Sequence, residues 1–352
     1  MKRKKVLSCI LVAATLLATL CLSSCDKTKT KYSSYSLEYF DTATSITGYA
    51  DSKEEFDAIS DQILSELAEY HKLFTIYNRY DAMENLCSIN DVKNNVHQTV
   101  VVDKKIIDML VFSKEMYKET NGKVNIAMGS LLSIWHDYRT AGINDPQSAQ
   151  LPPEEKLKQA GESINIDHLI IDTKNNTVFI SDPKTKLDVG AIAKGYAVEM
   201  IAQGLEKEGI SGYVINVGGN VRTIGTKADG QKWLVGIENP ESDSKEPYIA
   251  YLELSGEALV TSGTYQRFYT VGDKKYHHII DPDTLYPAEG YQSISVVCEN
   301  SANGDALSTA LFCMEYEEGS RLVESLEGVE VLWVFEDGSQ KQSSGFKNYI
   351  KK

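Results

Sequence analysis

The chain has 352 residues, of which 42% are hydrophobic, and a formal net charge of −14. This charge argues against nucleic acid or an anionic lipid surface as a binding partner, because like charges repel. The length alone suggests about two domains. The hydrophobic content is ample for a large core, so we expect one large α/β unit, or two lobes that share a cleft.

The first residues are typical of a secretory signal. Four basic residues at 2–5 precede an apolar run and a short stretch of small residues. Residues 22–25, Leu-Ser-Ser-Cys, resemble a bacterial lipobox, in which the cysteine carries lipid and begins the mature protein. We therefore predict a signal peptide at 1–24, lipidation of Cys25, a polar tether at 25–34, and an extracytoplasmic protein that is lipid-anchored to the cell membrane. The alternative, a single transmembrane anchor, is disfavoured by the shortness of the apolar run.

Three cysteines remain once the signal is removed and Cys25 is lipidated. Cys87, Cys298 and Cys313 are too few, and odd in number, for a disulfide framework. A bridge between Cys298 and Cys313 and a pair of free buried thiols both stay open.

The first half of the chain predicts a strand pair followed by helices. A β-rich segment at 35–50 contains an entry strand and its partner, and residues 35–352 form the folded body. Helical periodicity, turn residues and prolines predict the following segments: helices at 53–73 and 104–119, a polar and aromatic loop at 73–90, an Asn-Gly turn at 121–122, an apolar helix ending at 139, a surface loop at 140–150 and a short helix after Pro152 and Pro153.

The second half is richer in short strands. Predicted strands lie at 164–172, 176–181, 185–190, 212–219, 231–237, 248–254, 291–298 and 329–336, with a glycine-punctuated β region at 258–282, an acidic hairpin tip at 238–247, and helices after 190, after 304 and near 322. The elements alternate without a regular βαβ rhythm. The sequence therefore predicts an α+β fold with a mixed or antiparallel sheet and packed helices.

One candidate anion site is LDVGAIAKGYAV at 187–198. It matches neither the P-loop nor the dinucleotide glycine pattern, yet it places Lys194 near a helix start. Free amides and the helix dipole favour an anion there, so a diphosphate is a reasonable ligand. Asp188 would then bind something else, such as a ribose, a ring N–H or a metal. The alternative is a surface lysine beside an ordinary capped helix.

A candidate cation site is NGDALSTALF at 303–312. Asp305 and Thr309 are four residues apart, so on a helix they share one face. Both are hard oxygen donors that suit Mg²⁺, which needs about six ligands and would require further oxygens. The alternative is that Asn303 or Asp305 caps the helix while Thr309 packs.

Two adjacent histidines, His277 and His278, precede Ile279-Ile280-Asp281-Pro282. On a strand they point to opposite faces, so at most one of them faces a given cleft. A structural role is the alternative for either side chain. Proline restricts Asp281 to extended backbone and ends the strand.

Gly218 and Gly219 end the strand GYVINVGG. Positions without a side chain let a ligand or another backbone approach closely. A simple tight turn into the next strand is the alternative.

Taken together, these segments resemble the ApbE-type FAD:protein FMN transferases, a family once described as thiamine-biosynthesis lipoproteins. The resemblance runs from about Phe40 to Met314. Its most specific parts, in the family's order, are LDVGAIAKGYAV, VINVGGN, TSGTYQRF, YHHIIDP and GDALSTALF.

The resemblance implies a T-fold-related α+β body with FAD in a cleft and Mg²⁺ on the FAD diphosphate. In this family a threonine or serine hydroxyl of a target protein attacks the FMN phosphorus. AMP then leaves, and a phosphoester-linked flavin remains on the target. The implied acceptors are extracytoplasmic domains of membrane-associated flavoproteins.

The resemblance also assigns residues. It implies a metal site formed by the side chains of Asp305 and Thr309 and the carbonyl of Ala191, with His278 as the functional histidine. Our candidate proton acceptor is His278 or a nearby carboxylate. The flavin nucleotide would contact Phe40, Tyr77, Asn125, Ile126, Ala127, Asp188, Lys194 and Ile279.

The chain departs from the family pattern at four places. Phe40-Asp41-Thr42 stands for Met-Gly-Thr, Val124-Asn125-Ile126-Ala127 for Phe-Asp-x-Thr, Asn220 for a frequent aspartate, and Leu285 for a glycine in a turn. Leucine adopts positive φ poorly, so we expect that turn to differ locally.

Two other functions use the same residues. One is a Mg²⁺-dependent FAD pyrophosphatase, in which water replaces the protein hydroxyl and FMN leaves together with AMP. The other is a flavin-binding lipoprotein without catalysis.

Overall fold

The computed structural model describes residues 29–91, 98–241 and 244–352, so the predicted signal peptide and Cys25 lie outside the described residues. The helices are α1 (Lys53–Phe74), α2 (Leu86–Asn90), α3 (Lys104–Glu119), α4 (Gly129–Asn144), α5 (Glu154–Gly161), α6 (Ala193–Lys207), α7 (Ser301–Phe312) and α8 (Tyr316–Ser325). The strands are β1 (Thr30–Ser36), β2 (Thr44–Ala50), β3 (Val100–Val101), β4 (Leu169–Asp172), β5 (Thr177–Ile180), β6 (Tyr213–Val217), β7 (Asn220–Ile224), β8 (Trp233–Glu238), β9 (Tyr248–Leu254), β10 (Ala258–Gly263), β11 (Phe268–Val271), β12 (Lys274–His277), β13 (Tyr291–Cys298), β14 (Glu330–Phe335) and β15 (Gln340–Gln342).

An eight-stranded sheet organises the molecule, in the order β1-β2-β6-β7-β10-β13-β14-β15. Every neighbouring pair in it is antiparallel. The prediction of an α+β fold with an antiparallel sheet and packed helices is therefore confirmed. Smaller sheets join β3 to β5 and β4, β8 to β9, and β11 to β12.

Both faces of the large sheet are covered. The larger apolar cluster joins α1, α3, α6 and α7 to one face through residues such as Phe56, Leu110 and Leu307. The β8–β9 hairpin packs on the other face, where Leu252 and Leu254 meet Val297 and other strand residues. Because both faces are covered, strand β7 is buried along its whole length. A third cluster gathers α4, α5, β11, β12 and the turn after them.

Most helix predictions are confirmed to within a residue or two. Helix α3 has the predicted bounds, and its predicted face, Ile106, Ile107, Leu110 and Met116, is buried. The hairpin predicted on either side of the acidic segment forms between β8 and β9. The aromatic loop at 73–90 contains the short helix α2, which a reciprocal side-chain capping box at Asn85 and Ser88 stabilises.

The predicted tether is wrong from Thr30 onward, because β1 begins there and pairs with β2. The surface loop predicted from 140 is wrong for its first residues. Helix α4 continues to Asn144 because Gly142 lets the helix pack directly on the ring of Tyr269.

The strand predicted at 185–190 is also wrong. Lys186 makes one isolated β-bridge to Met128. The side chain of Asn90 forms hydrogen bonds with both the N–H and the C=O of Leu187. The Asn90 oxygen accepts from Leu187 N at 2.7 Å, and its amide donates to Leu187 O at 2.8 Å. A side chain therefore replaces the partner strand, which leaves the following residues free to turn into α6.

Leu285 corrects another expectation. Its φ is +66°, so it adopts the left-handed conformation that the sequence predicted it would avoid. Its amide donates to Asp281 O and its carbonyl accepts from the Trp135 indole, each at 2.9 Å. Its side chain packs on Gly161 in the third apolar cluster. These contacts offset the cost of the strained backbone.

Cys87, Cys298 and Cys313 are free thiols, so the open question of a Cys298–Cys313 bridge is settled in favour of free thiols. Cys298 and Cys313 are buried, and burial raises the pKa of each to about 12. In the part of the chain that the structure describes, none of the helices is both long and apolar enough to span a bilayer.

Candidate functional site

A cleft of about 230 Å³ opens where the starts of α6 and α7, the β6–β7 turn, the end of β10 and the segment after β12 converge. Four cations line it: Lys123, Arg139, Lys194 and Arg267. Two carboxylates, Asp188 and Asp305, face them. The cleft is therefore cationic in a protein whose formal net charge is −14, which favours an anionic ligand.

The starts of α6 and α7 cap each other. Asp305 of α7 accepts a hydrogen bond from Gly195 N of α6 at 2.8 Å. Glu199 of α6 accepts one from Ser301 N, the first residue of α7, at 2.7 Å. Helix α6 has no cap from its own N-cap residue, Ile192, so Asp305 performs that role from the other helix.

Gly195 makes this close approach feasible. A Cβ at this position would overlap the carbonyl oxygen of Ser301 and the Cβ of Asp305. The glycine in the sequence AKGYAV is thus required by helix packing and not by a phosphate loop.

The second oxygen of Asp305 faces donors in the cleft. Its Oδ1 lies 3.5 Å from Lys194 Nζ and 3.3 Å from Asn220 Nδ2. The Asp305 side chain is 4% exposed and that of Lys194 is 22% exposed. The Asn220 oxygen is buried and has no hydrogen-bond partner among the described residues. One carboxylate therefore connects a helix start, a lysine and an incompletely satisfied amide.

The alternatives raised for these helices are wrong. Asn300 caps α7, accepting from the amides of Ala302 and Asn303, so neither Asn303 nor Asp305 caps its own helix. Lys194 lies in the cleft beside Asp305 and is not a surface lysine next to an ordinary cap.

Asp188 is the second carboxylate that lines the cleft. Its Oδ1 accepts from Gly190 N at 2.8 Å, which closes a tight turn before α6. Its own amide donates to Ile126 O at 2.8 Å. Burial raises the pKa of Asp188, while the bond from Gly190 and the nearby His136 and Arg139 act in the opposite direction.

The two histidines separate as the strand prediction required. His277 turns away from the cleft: its Nε2 lies 2.8 Å from Ala288 O, and its Nδ1 accepts from Ile279 N at 3.2 Å. His278 lines the cleft, and its Nδ1 is buried with no hydrogen-bond partner among the described residues. Burial, reinforced by Arg267 and Arg139, lowers the pKa of His278 to about 3, so its imidazole is neutral at pH 7.

The β6–β7 turn confirms the alternative given for the glycine pair, a tight turn into the next strand. Gly218 and Gly219 have φ of +55° and +90° and form a two-residue hairpin turn. A Cβ on Gly218 would overlap Thr42, and Gly218 also lines the cleft. The pair therefore makes the turn and lets the chain approach its neighbours closely.

Sequence reasoning missed Arg139, Arg267 and His136. Arg139 Nη2 lies 3.1 Å from His136 Nδ1, and the His136 ring packs on Tyr77 with centroids 5.7 Å apart. Arg267 donates to Asp41 O at 3.2 Å. Neither guanidinium has a carboxylate within 4 Å in the described part of the chain. Arg267 lies within the motif TSGTYQRF, which was noted without a role for the arginine, and no motif marked Arg139 or His136.

Nine of the predicted site residues line the cleft together: Tyr77, Asn125, Asp188, Ala191, Lys194, His278, Ile279, Asp305 and Thr309. Phe40 lines an adjoining pocket of about 140 Å³ that shares Tyr77, Asp188, Gly190, Lys194 and Arg267 with the cleft. Ile126 and Ala127 are buried in the core and do not line the cleft. They support it through the backbone bond of Ile126 to Asp188.

The oxygen donors near Asp305 suit a hard cation. Asp305 provides a nearly buried carboxylate, and Thr309 and Ala191 line the same cleft. The buried Asn220 oxygen lacks a donor among the described residues. Carboxylate, hydroxyl and carbonyl oxygens are the ligands that Mg²⁺ prefers, so the residues present fit that ion.

Comparison with known proteins finds one family. The ApbE family model matches residues 40–333. A FAD:protein FMN transferase of Klebsiella pneumoniae is 28% identical over 279 residues, covering 79% of this chain and 82% of that protein. A protein of the same name from Haemophilus influenzae is 25% identical over 358 residues, covering 98% of each chain.

Solved structures agree in fold. The ApbE protein of Thermotoga maritima superposes with a TM-score of 0.79 and 27% identity, covering 92% of this chain and all of that one. The flavin transferase ApbE of Vibrio cholerae gives a TM-score of 0.75 and 25% identity, covering 91% of this chain and 99% of that one.

Proposed function

The chain belongs to the ApbE family, and from this we propose that it is a FAD:protein FMN transferase. It transfers FMN from FAD to a threonine or serine hydroxyl of an acceptor protein, releases AMP and leaves a phosphoester-linked flavin. The observation that carries this proposal is the cationic cleft in which Lys194, Asp305 and His278 converge.

The diphosphate of FAD binds at the start of α6. The helix dipole favours an anion there, and Lys194 adds a positive charge within the first turn. Arg139 and Arg267 lack carboxylate partners among the described residues and add further positive charge in the cleft. Phosphoryl transfer depends mainly on positioning and on stabilising negative charge, and these residues supply both.

Asp305, Thr309 and the carbonyl of Ala191 would hold Mg²⁺ in the cleft. When bound, the ion would stabilise the negative charge that develops on the phosphoryl oxygens during transfer. Asp305 remains fixed throughout, because its Oδ2 is bound to Gly195 N.

His278 is the proton acceptor for the attacking hydroxyl. Its neutral imidazole can accept a proton, although the pKa of about 3 makes it a weak base in the cationic cleft. Burial is the main cause of this low pKa, and Arg267, Arg139 and Lys194 lower it further. A bound diphosphate would offset those three charges and so oppose the smaller part of the shift.

The aromatic rings beside the cleft bind the ring systems of FAD. Phe40 and Tyr77 lie in the adjoining pocket with Asp188 between the two cavities. Asp188 lines both cavities and accepts a hydrogen bond from the nucleotide through Oδ2, since its Oδ1 is already bound to Gly190 N. We also propose that the α+β body is T-fold-related, as the resemblance implies.

We also propose that residues 1–24 are a lipoprotein signal peptide and that lipidated Cys25 anchors the protein outside the cytoplasm. Strand β1 begins at Thr30, so four residues separate Cys25 from the sheet. Four extended residues span about 14 Å. The acceptors are therefore extracytoplasmic domains held close to the same membrane.

The test combines the protein with FAD, Mg²⁺ and a membrane flavoprotein domain that carries a candidate threonine, followed by denaturing electrophoresis. Flavin fluorescence on the acceptor band supports transfer. Free FMN together with AMP supports a pyrophosphatase, and unchanged bound FAD supports a non-catalytic flavin-binding lipoprotein. A matched acceptor with Thr→Val at the modified position must stay dark.

A further inference from the structure

The two oxygens of Asp305 have different roles. Oδ2 belongs to the helix cap, since it accepts from Gly195 N at 2.8 Å. Oδ1 faces the Lys194 ammonium at 3.5 Å and the Asn220 amide at 3.3 Å. Oδ1 is therefore the oxygen available to a divalent cation, and the Lys194 ammonium already lies beside it.

Lys194 has no second carboxylate with which to form an ion pair among the described residues. In the part of the chain that the structure describes, Asp305 is the only carboxylate within 4 Å of Lys194 Nζ. An ammonium and a divalent cation repel each other strongly at such short range in a partly buried cleft. Both cannot occupy the same side of Oδ1, so one must move when the other binds.

The cleft offers Lys194 an alternative partner only when an anion is present. Lys194 lies in the first turn of α6, where a phosphate would bind. A phosphate oxygen could take the ammonium and leave Oδ1 free. Asn220 lines the same cleft, and its buried oxygen lacks a donor among the described residues. This oxygen gives the cation a neutral ligand in addition to the charged Oδ1 of Asp305.

We propose that the Lys194 ammonium competes with the divalent cation for Asp305 Oδ1. When the nucleotide diphosphate binds, it pairs with the ammonium and so ends this competition. The inference rests on the proposed function for the identity of the nucleotide. It predicts that cation and nucleotide strengthen each other's binding by the same factor, because coupling between two sites is reciprocal.

The first test measures the cation alone. Mn²⁺ is titrated into the full folded protein without nucleotide, and free Mn²⁺ is followed by electron paramagnetic resonance. Lys194→Met is expected to bind Mn²⁺ about tenfold more tightly than the wild type, within the usual range of coupling between sites. Lys207→Met, on the exposed end of the same helix, is the matched control and should match the wild type. Equal or weaker Mn²⁺ binding by Lys194→Met overturns the proposal.

The second test measures the nucleotide alone. FAD binding is followed by flavin fluorescence in the presence of a chelator. Asp305→Asn removes the competing carboxylate charge, so the released Lys194 is expected to bind FAD several-fold more tightly than in the wild type. Asp337→Asn, at an exposed turn, should leave the affinity unchanged. Weaker FAD binding by a folded Asp305→Asn protein contradicts the competition.

The two proposals fail in different ways. If no variant binds FAD under any condition, the proposed function is lost, while the Mn²⁺ titration still decides the competition. If the wild type binds and transfers flavin but Lys194→Met gains no affinity for Mn²⁺, the competition alone is lost. Thermal unfolding of each variant confirms that the compared proteins are folded.

Discussion

Two buried carboxylates on neighbouring helices show how a structural network differs from a functional one. Glu199 is 3% exposed and binds Arg222 Nε at 3.1 Å, Ser301 N at 2.7 Å and Gln203 Nε2 at 3.0 Å. Arg222 also donates to Glu206 at 3.1 Å and to the carbonyls of Gly256 and Thr223. Both oxygens of Glu199 and all three side-chain nitrogens of Arg222 are paired, whereas the Ser301 hydroxyl is buried without a partner among the described residues.

Asp305 is equally buried, yet its surroundings are incomplete. Its Oδ1 has only a 3.5 Å ion pair and a 3.3 Å amide contact, and the Asn220 oxygen beside it has no donor among the described residues. His278, also in the cleft, has an unpartnered nitrogen too. Buried polar groups are normally satisfied, yet other unpartnered atoms, such as Tyr213 Oη and Trp333 Nε1, lie outside the cleft. What distinguishes Asp305 from Glu199 is therefore incomplete pairing together with a place in the cationic cleft.

The substitution with the largest expected effect on activity is Asp305→Ala, which removes the carboxylate of the incompletely paired network. We expect FMN transfer to fall about a thousandfold, which corresponds to about 4 kcal/mol of transition-state stabilisation, because the cation loses its charged ligand. Transfer is measured from flavin fluorescence on the acceptor. The melting temperature should fall only by the amount expected when one helix N-cap is removed. Transfer at the wild-type rate contradicts the assignment of the site.

Arg222→Met tests the complete network. It leaves the buried Glu199 carboxylate without its cation, so the free energy of unfolding should fall by about 3 kcal/mol. Urea denaturation measures this change. The folded fraction should retain FAD affinity, because Arg222 does not line the cleft. Lys274→Met, which removes an exposed ion pair with Glu289, is the control and should scarcely change stability. A stable Arg222→Met protein that loses FAD binding would reverse the roles of the two networks.

Gly195→Ala tests the junction between the networks. The added Cβ would overlap Ser301 O and Asp305 Cβ, so the two helix starts must separate. We expect a loss of about 1–3 kcal/mol in stability together with weaker cation binding. Gly204→Ala in the same helix has open space around it and should raise stability by up to about 1 kcal/mol. Equal effects of the two substitutions would argue against close packing at Gly195.

Substitution of His278 should change the free energy of unfolding by a smaller amount, and this change should depend on pH. Its pKa is about 3 in the folded protein against about 6.5 in the unfolded chain. Between those values only the unfolded chain binds the proton, so stability falls as pH is lowered through this window and is unaffected above it. His278→Gln should therefore gain stability relative to the wild type below about pH 6.5, at less than the limit of about 1.4 kcal/mol per pH unit for one proton. Urea midpoints at pH 8, 6 and 5 measure this. A constant difference at all three values contradicts the neutral, buried imidazole.

Much of the fold follows from local pattern. Periodicity located α3 to the residue, and strand alternation separated His277 from His278. Helix α6 was also located in the sequence, as were Lys194, Asp305 and Thr309, whereas α7 begins three residues before the predicted start at 304. These features depend on residues close together in the chain, which pattern and spacing report directly.

Other features depend on partners far away in the chain. The strand expected at 185–190 was replaced by the side chain of Asn90, nearly a hundred residues earlier. The positive φ of Leu285 is tolerated because Trp135 and Asp281 hold its backbone. Arg139 and Arg267 meet only through the fold. No local rule contains these tertiary contacts, so sequence reasoning could not supply them.

The reciprocal caps also set the order in which the site can appear during synthesis. The Asp305–Gly195 bond closes a separation of 110 residues, and the Glu199–Ser301 bond one of 102. A nascent chain that has reached only residue 300 has neither cap, so the start of α6 lacks the carboxylate that fixes it. Nucleotide binding therefore requires α6 and α7 to be folded together, and a partly synthesised or partly exported chain that lacks α7 lacks the site.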